Sequence, residues 1–199
     1  MGLNLKYEYG QTALDPEEIE DLKVLSVSTK AELDELEQQN IEEALLWIMG
    51  RKWKPEKIFS EAFIKEVHAR MYKNVWKWAG KFRTTEKNIG VAPFKISIDL
   101  KYLLDDVLFW VKKQSYPADE IAIRFKHRLV SIHCFANGNG RHSRVMADII
   151  AEKIFGLKPF TWGKNNRENS SAEIRNICIK AVKLGDKNDL TSLVKFARS

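Results

Sequence analysis

Residues 133–144 read HCFANGNGRHSR, and these twelve positions hold a histidine, a glycine-rich loop and two arginines. Histidine is the side chain best suited to exchanging a proton near neutral pH. Gly138, Asn139 and Gly140 lead into the expected first turn of a helix. There, unpaired N–H groups and the positive end of the macrodipole favour an anion, and glycine lets a phosphate approach the backbone. Asn139 adds a side-chain donor. Arg141 and Arg144, three apart, project from one face of that helix, and two guanidinium forks at one helix start suit a polyphosphate. His133 alone would pass for a histidine at a helix end, and G-N-G alone for a turn. Together they predict an anion site with a base at its edge. Cys134 fits the role of nucleophile less well than its neighbour His133 fits that of base.

The elements that must position these groups are helices. Apolar residues recur at helical spacing through nearly every long segment, so the expected fold class is all-α. Thr29 and Glu32 have the pattern of a capping box, opening a helix whose Leu33, Leu36, Ile41, Ala44, Leu45 and Ile48 share a face and which Gly50 ends. A second helix is expected from Ser60, with Phe63, Ile64, Val67, Met71 and Val75 inward. A third follows Asp99, with Leu103, Leu104, Val107 and Val111. Between them residues 80–97, GKFRTTEKNIGVAPFKIS, punctuate short Phe, Ile and Val groups with Gly, Asn and Pro, the pattern of a small β-hairpin or extended flap. A helix from about Pro117 to Ile132 delivers its end to His133. Val145, Ile149 and Ile154 mark the helix after the loop, and two more cover roughly 170–184 and 189–197. The motif is therefore presented as helix, loop, helix, with Phe135 as its apolar anchor.

At 199 residues and 44% hydrophobic content, the chain has the material for one sizeable core. No apolar run approaches the ~18 residues of a membrane span. MGLNLKYEYG lacks the layout of a signal peptide, so a cytoplasmic protein with no membrane partner is expected. Cys134 and Cys178 are too few for a disulfide framework and lack zinc-site spacing, which suits free thiols in a reducing compartment. Charge is unevenly placed. The first 50 residues hold three Lys and twelve Asp/Glu and carry −9, which leaves +15 on the rest. Either the basic body meets an anion, or the acidic arm lies against it as counter-charge.

H-C-F-A-N-G-N-G-R-H-S-R resembles the Fic-domain pattern H-P-F-x-[D/E]-G-N-G-R-x-x-R, matching at His133, Phe135, Gly138, Asn139, Gly140, Arg141 and Arg144. Residues 85–96 resemble the family's flap, and residues 40–197 its helical core, behind an N-terminal arm and helix start over 1–39 that could be regulatory. GQTALDPEE and ELDELEQQNI are similar to the bacterial Fic subgroup known as mobile mystery protein B. The resemblance implies a Fic-type helical bundle with a small β-hairpin flap that transfers AMP from ATP to a Tyr, Thr or Ser hydroxyl of a protein, with loss of pyrophosphate. His133 would take the hydroxyl proton, and Gly138, Asn139 and Gly140 would hold the α- and β-phosphates. Arg141 would grip the β-phosphate side and Arg144 the γ-phosphate. The flap residues Asn88, Ile89, Gly90 and Val91 would register the target by strand addition.

Two departures from the pattern stand out. Cys134 replaces the usual Pro, and Asn137 replaces the acidic residue that binds Mg²⁺ in the family. An amide oxygen can ligate a hard cation but brings no charge. The family's inhibitory pattern, [S/T]-x-x-x-E-[G/N], is matched in spacing by Ser28 and Glu32, with Leu33 in place of Gly or Asn. Glu32 is then the candidate for an inhibitory contact with Arg144, unless an antitoxin-like partner supplies the brake in trans. Two rivals remain. One is a Fic-type transfer of the γ-phosphate. The other is a non-catalytic nucleotide-binding or basic nucleic-acid-binding module, against which the helix after Gly140 commits Val145 and Ile149 to a core.

Overall fold

The computed structural model describes residues 12–165 and 170–199. MGLNLKYEYG and the start of GQTALDPEE lie outside the described residues. Among the described residues the helices are α1 (Pro16–Ile19), α2 (Lys30–Met49), α3 (Pro55–Ile58), α4 (Glu61–Tyr72), α5 (Ile96–Lys113), α6 (Ala118–Ile132), α7 (Asn139–Ile149), α8 (Ser171–Gly185) and α9 (Thr191–Arg198). A π-helical turn over Ile150–Ile154 extends α7. The protein is helical as expected, and no helix is long and apolar enough to cross a membrane among the described residues.

Local chemistry sets the helix boundaries. The Thr29 side chain accepts from the Glu32 N–H while the Glu32 carboxylate accepts from the Thr29 N–H, which completes a capping box at the start of α2. Ser60 caps α4 by accepting from the Phe63 N–H. The helix expected after Asp99 starts earlier, at Ile96, behind a 3₁₀ turn over Pro93–Lys95, because Pro93 seeds a first turn where a missing N–H costs nothing.

The elements that frame the motif meet in the core. α2 packs on α4, and α5 and α7 both pack on α6. Phe63, Ile64, Val67 and Met71 of α4 are fully buried with Leu100 and Leu103 of α5 and Ile123 and Phe125 of α6. Each such side chain contributes roughly 1.5–3 kcal/mol on leaving water. α2 runs unbroken across positions 39 and 40 and adds Leu33, Ile41, Ala44 and Ile48 to this core.

The expected β-hairpin flap is not formed. Residues 81–92 contain no strand, and an isolated bridge pairs Leu22 with Trp76 elsewhere. The flap is an irregular loop whose backbone bonds cross to the motif instead of to itself: Arg83 N–H donates to the Cys134 carbonyl (3.0 Å) and Val91 N–H to that of Ile132 (3.2 Å). Gly90, at φ +99°, breaks the extended geometry a ladder needs.

Candidate active site

His133 ends α6 in the left-handed conformation, φ 58° and ψ 59°, with its N–H donating to the Leu129 carbonyl. That turn swings the chain out of the helix and into the loop. The imidazole is buried, and its Nε2 faces the Thr12 hydroxyl at 3.3 Å. Nδ1 is buried and makes no hydrogen bond. In the tautomer with its proton on Nδ1 the ring presents the Nε2 lone pair to that hydroxyl. Burial, then the Arg83 guanidinium, push the ring's pKa down to about 4, so it is neutral at physiological pH, as a general base must be.

The loop after it is built on aromatic packing. Phe135 is fully buried and stacks on His68, with ring centroids 3.6 Å apart, while His142 meets it edge-on. His68 Nδ1 accepts from the Gly80 N–H, so its Nε2 carries the proton and donates to the Asn137 carbonyl at 3.1 Å. His142 Nε2 donates to the Ile64 carbonyl in the same way. Burial lowers the pKa of both rings, His142 to about 3, so each stays neutral and acts as a spacer tying loop to α4.

Gly138, at φ +77°, turns the chain into α7, and a Cβ there would lie 2.6 Å from the Tyr72 ring. A Cβ on Gly140 would meet nothing within 4 Å, so the backbone there is open to a ligand. Asn139 is placed differently from the expected phosphate donor. Its buried amide pairs both ways with the Phe135 peptide, Oδ1 accepting from the N–H (3.0 Å) and Nδ2 donating to the carbonyl (2.8 Å). Both polar atoms already have partners, so it closes the loop and leaves anion binding to backbone N–H groups. The Tyr72 hydroxyl, buried against Gly138, has no hydrogen-bond partner. An orphaned O–H beside the N-terminus of α7 is a further donor for an anion.

Arg141 and Arg144 stand on the first turns of α7. The Arg141 guanidinium lies 5.2 Å from the Tyr72 ring centroid and pairs with Glu37 of α2 at 2.6 Å. Glu37 is buried, and its other oxygen accepts from Trp76 Nε1 at 2.6 Å. Arg144 makes no ion pair among the described residues. Glu32 does not reach the motif: it is held by Ser28 and Thr29 at the exposed start of α2. The acidic residue of α2 that touches a motif arginine is Glu37, and its arginine is the first of the two.

Arg83 ties the flap to the base. It is buried; Nε donates to the His133 carbonyl (2.7 Å), Nη1 to that of Thr85 (2.8 Å) and Nη2 to that of Val91. With Val91 bonded at both N–H and carbonyl, only Asn88, Ile89 and Gly90 keep exposed backbone for an incoming strand. The acidic arm lies along this loop. Lys87 Nζ donates to Asp15 (2.8 Å) and Glu18 (2.5 Å), Thr85 Oγ1 to Glu18 (3.0 Å), and Asn137 Nδ2 to the Thr12 carbonyl (3.0 Å). Cys134, though inside the motif, is fully buried, and burial pushes its thiol up to about 12, which removes it as a nucleophile.

The donor set does not make a protein-held Mg²⁺ site. No cluster of three His, Cys, Asp or Glu suited to a metal occurs among the described residues. Asn137 Oδ1 already accepts from the Gly138 N–H at 2.6 Å, a local turn that caps the loop.

Sequence reasoning missed Thr12, Glu37, His68, Tyr72 and Arg83. Glu37 carried a readable signal, since it sits four residues from both Leu33 and Ile41 on the apolar face of α2. His68 likewise interrupts the apolar face of α4. Tyr72 reads as core, and nothing in the pattern around Arg83 marks it.

Residues 58–151 match the model of the Fic/DOC family. The N-terminal FIC domain of Bep8 from Bartonella sp. 1-1C shares the fold at TM-score 0.69, with 17% identity over 90% of each chain. So does BepC from Bartonella tribocorum, solved with bound AMPPNP, at TM-score 0.67, with 16% identity over 96% of this chain and 93% of that one. Fic-1 from C. elegans aligns at TM-score 0.63, with 23% identity over 80% of this chain. The present chain spans 46% of that relative's length.

Proposed function

With a Fic/DOC family domain over residues 58–151 as its premise, we propose that the protein is an adenylyltransferase that moves AMP from ATP to a hydroxyl side chain of a protein and releases pyrophosphate. The observation that carries this reading is a buried His133 whose Nε2 lies 3.3 Å from a hydroxyl, set at the edge of the α7 N-terminus. The bound AMPPNP of BepC supports a nucleoside triphosphate as donor.

Each group then has a part. His133 accepts the proton of the target hydroxyl as its oxygen attacks the α-phosphorus, a role that general-base catalysis values at roughly 10²–10⁴ in rate. The N–H groups of the Gly138, Asn139 and Gly140 turn, with the Tyr72 hydroxyl, meet charge as it builds on phosphate oxygens. Arg141 and Arg144 hold the β- and γ-phosphates, and the pyrophosphate leaves against them. Mg²⁺ enters with the triphosphate as part of the substrate, because Asn137 brings one neutral oxygen that is already engaged.

Glu37 supports a brake built into this chain: while it holds Arg141, that guanidinium is withheld from the triphosphate. An antitoxin-like partner is then not required for inhibition, and the affinity to the mobile mystery protein B subgroup rests on sequence segments alone. Incubation with a cell lysate and ATP labelled at either the α- or the γ-phosphate tests the reaction. Label passing to protein only from the α position is expected. Label passing only from the γ position would replace AMP transfer by phosphotransfer.

A further inference from the structure

The acidic arm brings a hydroxyl of the chain itself to the base. Thr12 Oγ1 stands 3.3 Å from His133 Nε2, and in the tautomer with the proton on Nδ1 a Thr12 O–H donates to that nitrogen. The approach is held from several sides. Asn137 Nδ2 donates to the Thr12 carbonyl at 3.0 Å, which fixes residue 12 against the motif loop. Lys87, its side chain almost wholly buried, grips Asp15 and Glu18, and Trp78 Nε1 donates to the Glu18 carbonyl at 3.1 Å. Thr85 bonds the same Glu18 from the flap. The arm thus passes between flap and motif loop with the Thr12 hydroxyl turned to the base, the arrangement an acceptor side chain needs.

Resting on the AMP-transfer reading, we infer that Thr12 is itself an acceptor, modified within its own molecule. His133 Nε2 takes the proton from Thr12 Oγ1. The oxygen attacks the α-phosphorus of ATP, the new Oγ1–P bond forms, and the bond from that phosphorus to the oxygen bridging to the β-phosphate breaks. Pyrophosphate carries off the electron pair, and Thr12 is left as a phosphodiester of AMP. Because acceptor and base share one chain, the reaction is first order in protein. An external target must displace the arm to reach His133, so Thr12 also competes with it.

The test uses the full chain with ATP labelled at the α-phosphate, followed by intact mass and peptide mapping, alone and with a cell lysate added. Wild type, Thr12→Ala, Thr12→Ser and Glu37→Gln are compared at several protein concentrations. One AMP per chain mapping to residue 12 is expected, with a rate constant independent of concentration, retained in Thr12→Ser, lost in Thr12→Ala and faster in Glu37→Gln. Lysate proteins labelled while residue 12 stays unmodified would overturn the Thr12 assignment and leave AMP transfer standing. An apparent rate constant that rises in proportion to protein concentration would also overturn it, since the acceptor would lie on another molecule. No label on any protein, with Glu37→Gln included, would sink both readings together.

Discussion

Glu37 and Arg141 meet at 2.6 Å and join the buried face of α2 to the first turn of α7. The carboxylate also receives the Trp76 indole N–H, so one side chain serves packing and restraint at once. Glu37→Gln keeps an oxygen for Trp76 and removes the charge that holds Arg141. ATP should then bind about tenfold tighter, equivalent to about 1.4 kcal/mol, and basal transfer should rise. Glu37→Ala should instead lower stability by roughly 1–3 kcal/mol, because the indole N–H is left buried without a partner. Calorimetry with ATP, run beside thermal unfolding, separates the two effects; unchanged ATP affinity in a folded Glu37→Gln would remove the brake.

Tyr72 carries a buried hydroxyl with no partner against the loop that should receive phosphate. Tyr72→Phe deletes an unsatisfied polar atom, so the nucleotide-free protein should gain about 1 kcal/mol while ATP affinity falls. Opposite signs in the two measurements are the expected outcome; a loss in both would make the hydroxyl structural. Gly138→Ala, forced to φ +77° with its Cβ against the same ring, should be destabilised far more.

Arg83 holds His133, Thr85 and Val91 through one guanidinium. Arg83→Ala should cost roughly 2–4 kcal/mol, since charge-assisted bonds are lost and carbonyls orphaned. Arg83→Lys restores charge without the fork and should recover stability better than transfer. The KM for an external target should climb more than the kcat falls, because the loop that presents the target loosens first. Equal kinetics in Arg83→Lys and wild type would show that the three-way fork is dispensable.

Asn137→Asp keeps an oxygen for the Gly138 N–H but exchanges the amide that donates to the Thr12 carbonyl for a carboxylate that repels it. The half-saturating Mg²⁺ concentration for transfer should fall, since a charge now faces the cation, and the arm should become more open to protease. Coincident Mg²⁺ titrations of variant and wild type would mean residue 137 never meets the ion.

His68, His133 and His142 all have pKa values lowered chiefly by burial, to about 4 for His133 and about 3 for His142. The unfolded chain binds protons on these rings near the ordinary value of 6.5, so as pH falls from about 6.5 toward 4 the unfolded state gains protons that the native state refuses. Asp148 opposes this, for burial raises it to about 6 and the native state holds its proton first. Three rings outweigh one carboxyl, so the contribution of these groups should be full above pH ~6.5 and fall with acidification. Urea melts across that interval should show net proton uptake on unfolding; a flat profile would mean the rings are not buried neutral.

Much of this was legible in the sequence where one residue type admits one local geometry. The caps at Thr29 and Ser60, the apolar faces of α4 to α7, and the helix, loop, helix setting of the motif follow from spacing alone. The flap did not, because its order comes from one of its own side chains turned back on it: Arg83 supplies donors that a partner strand would have supplied. Asn139 looked like a phosphate donor because spacing cannot tell that its amide turns back on Phe135. Glu32 fitted a spacing rule and went to the capping box instead, while Glu37 revealed itself only as an acid in the wrong place on an apolar face.

The continuity of α2 across positions 39 and 40 has a consequence for how such a protein could ever be unlocked. The residue that restrains Arg141 shares its helix with Leu33, Ile41, Ala44 and Ile48, which are core. Cutting the helix out would release the arginine and collapse the scaffold in the same event. A protease, a deletion or a shortened gene therefore cannot yield a constitutively active remnant at this point. Release must come as a shift of side chains within an intact helix, or as a single exchange at position 37, whereas the contacts of Thr12 with Asn137 and of Asp15 with Lys87 can be peeled away and laid back without breaking that helix.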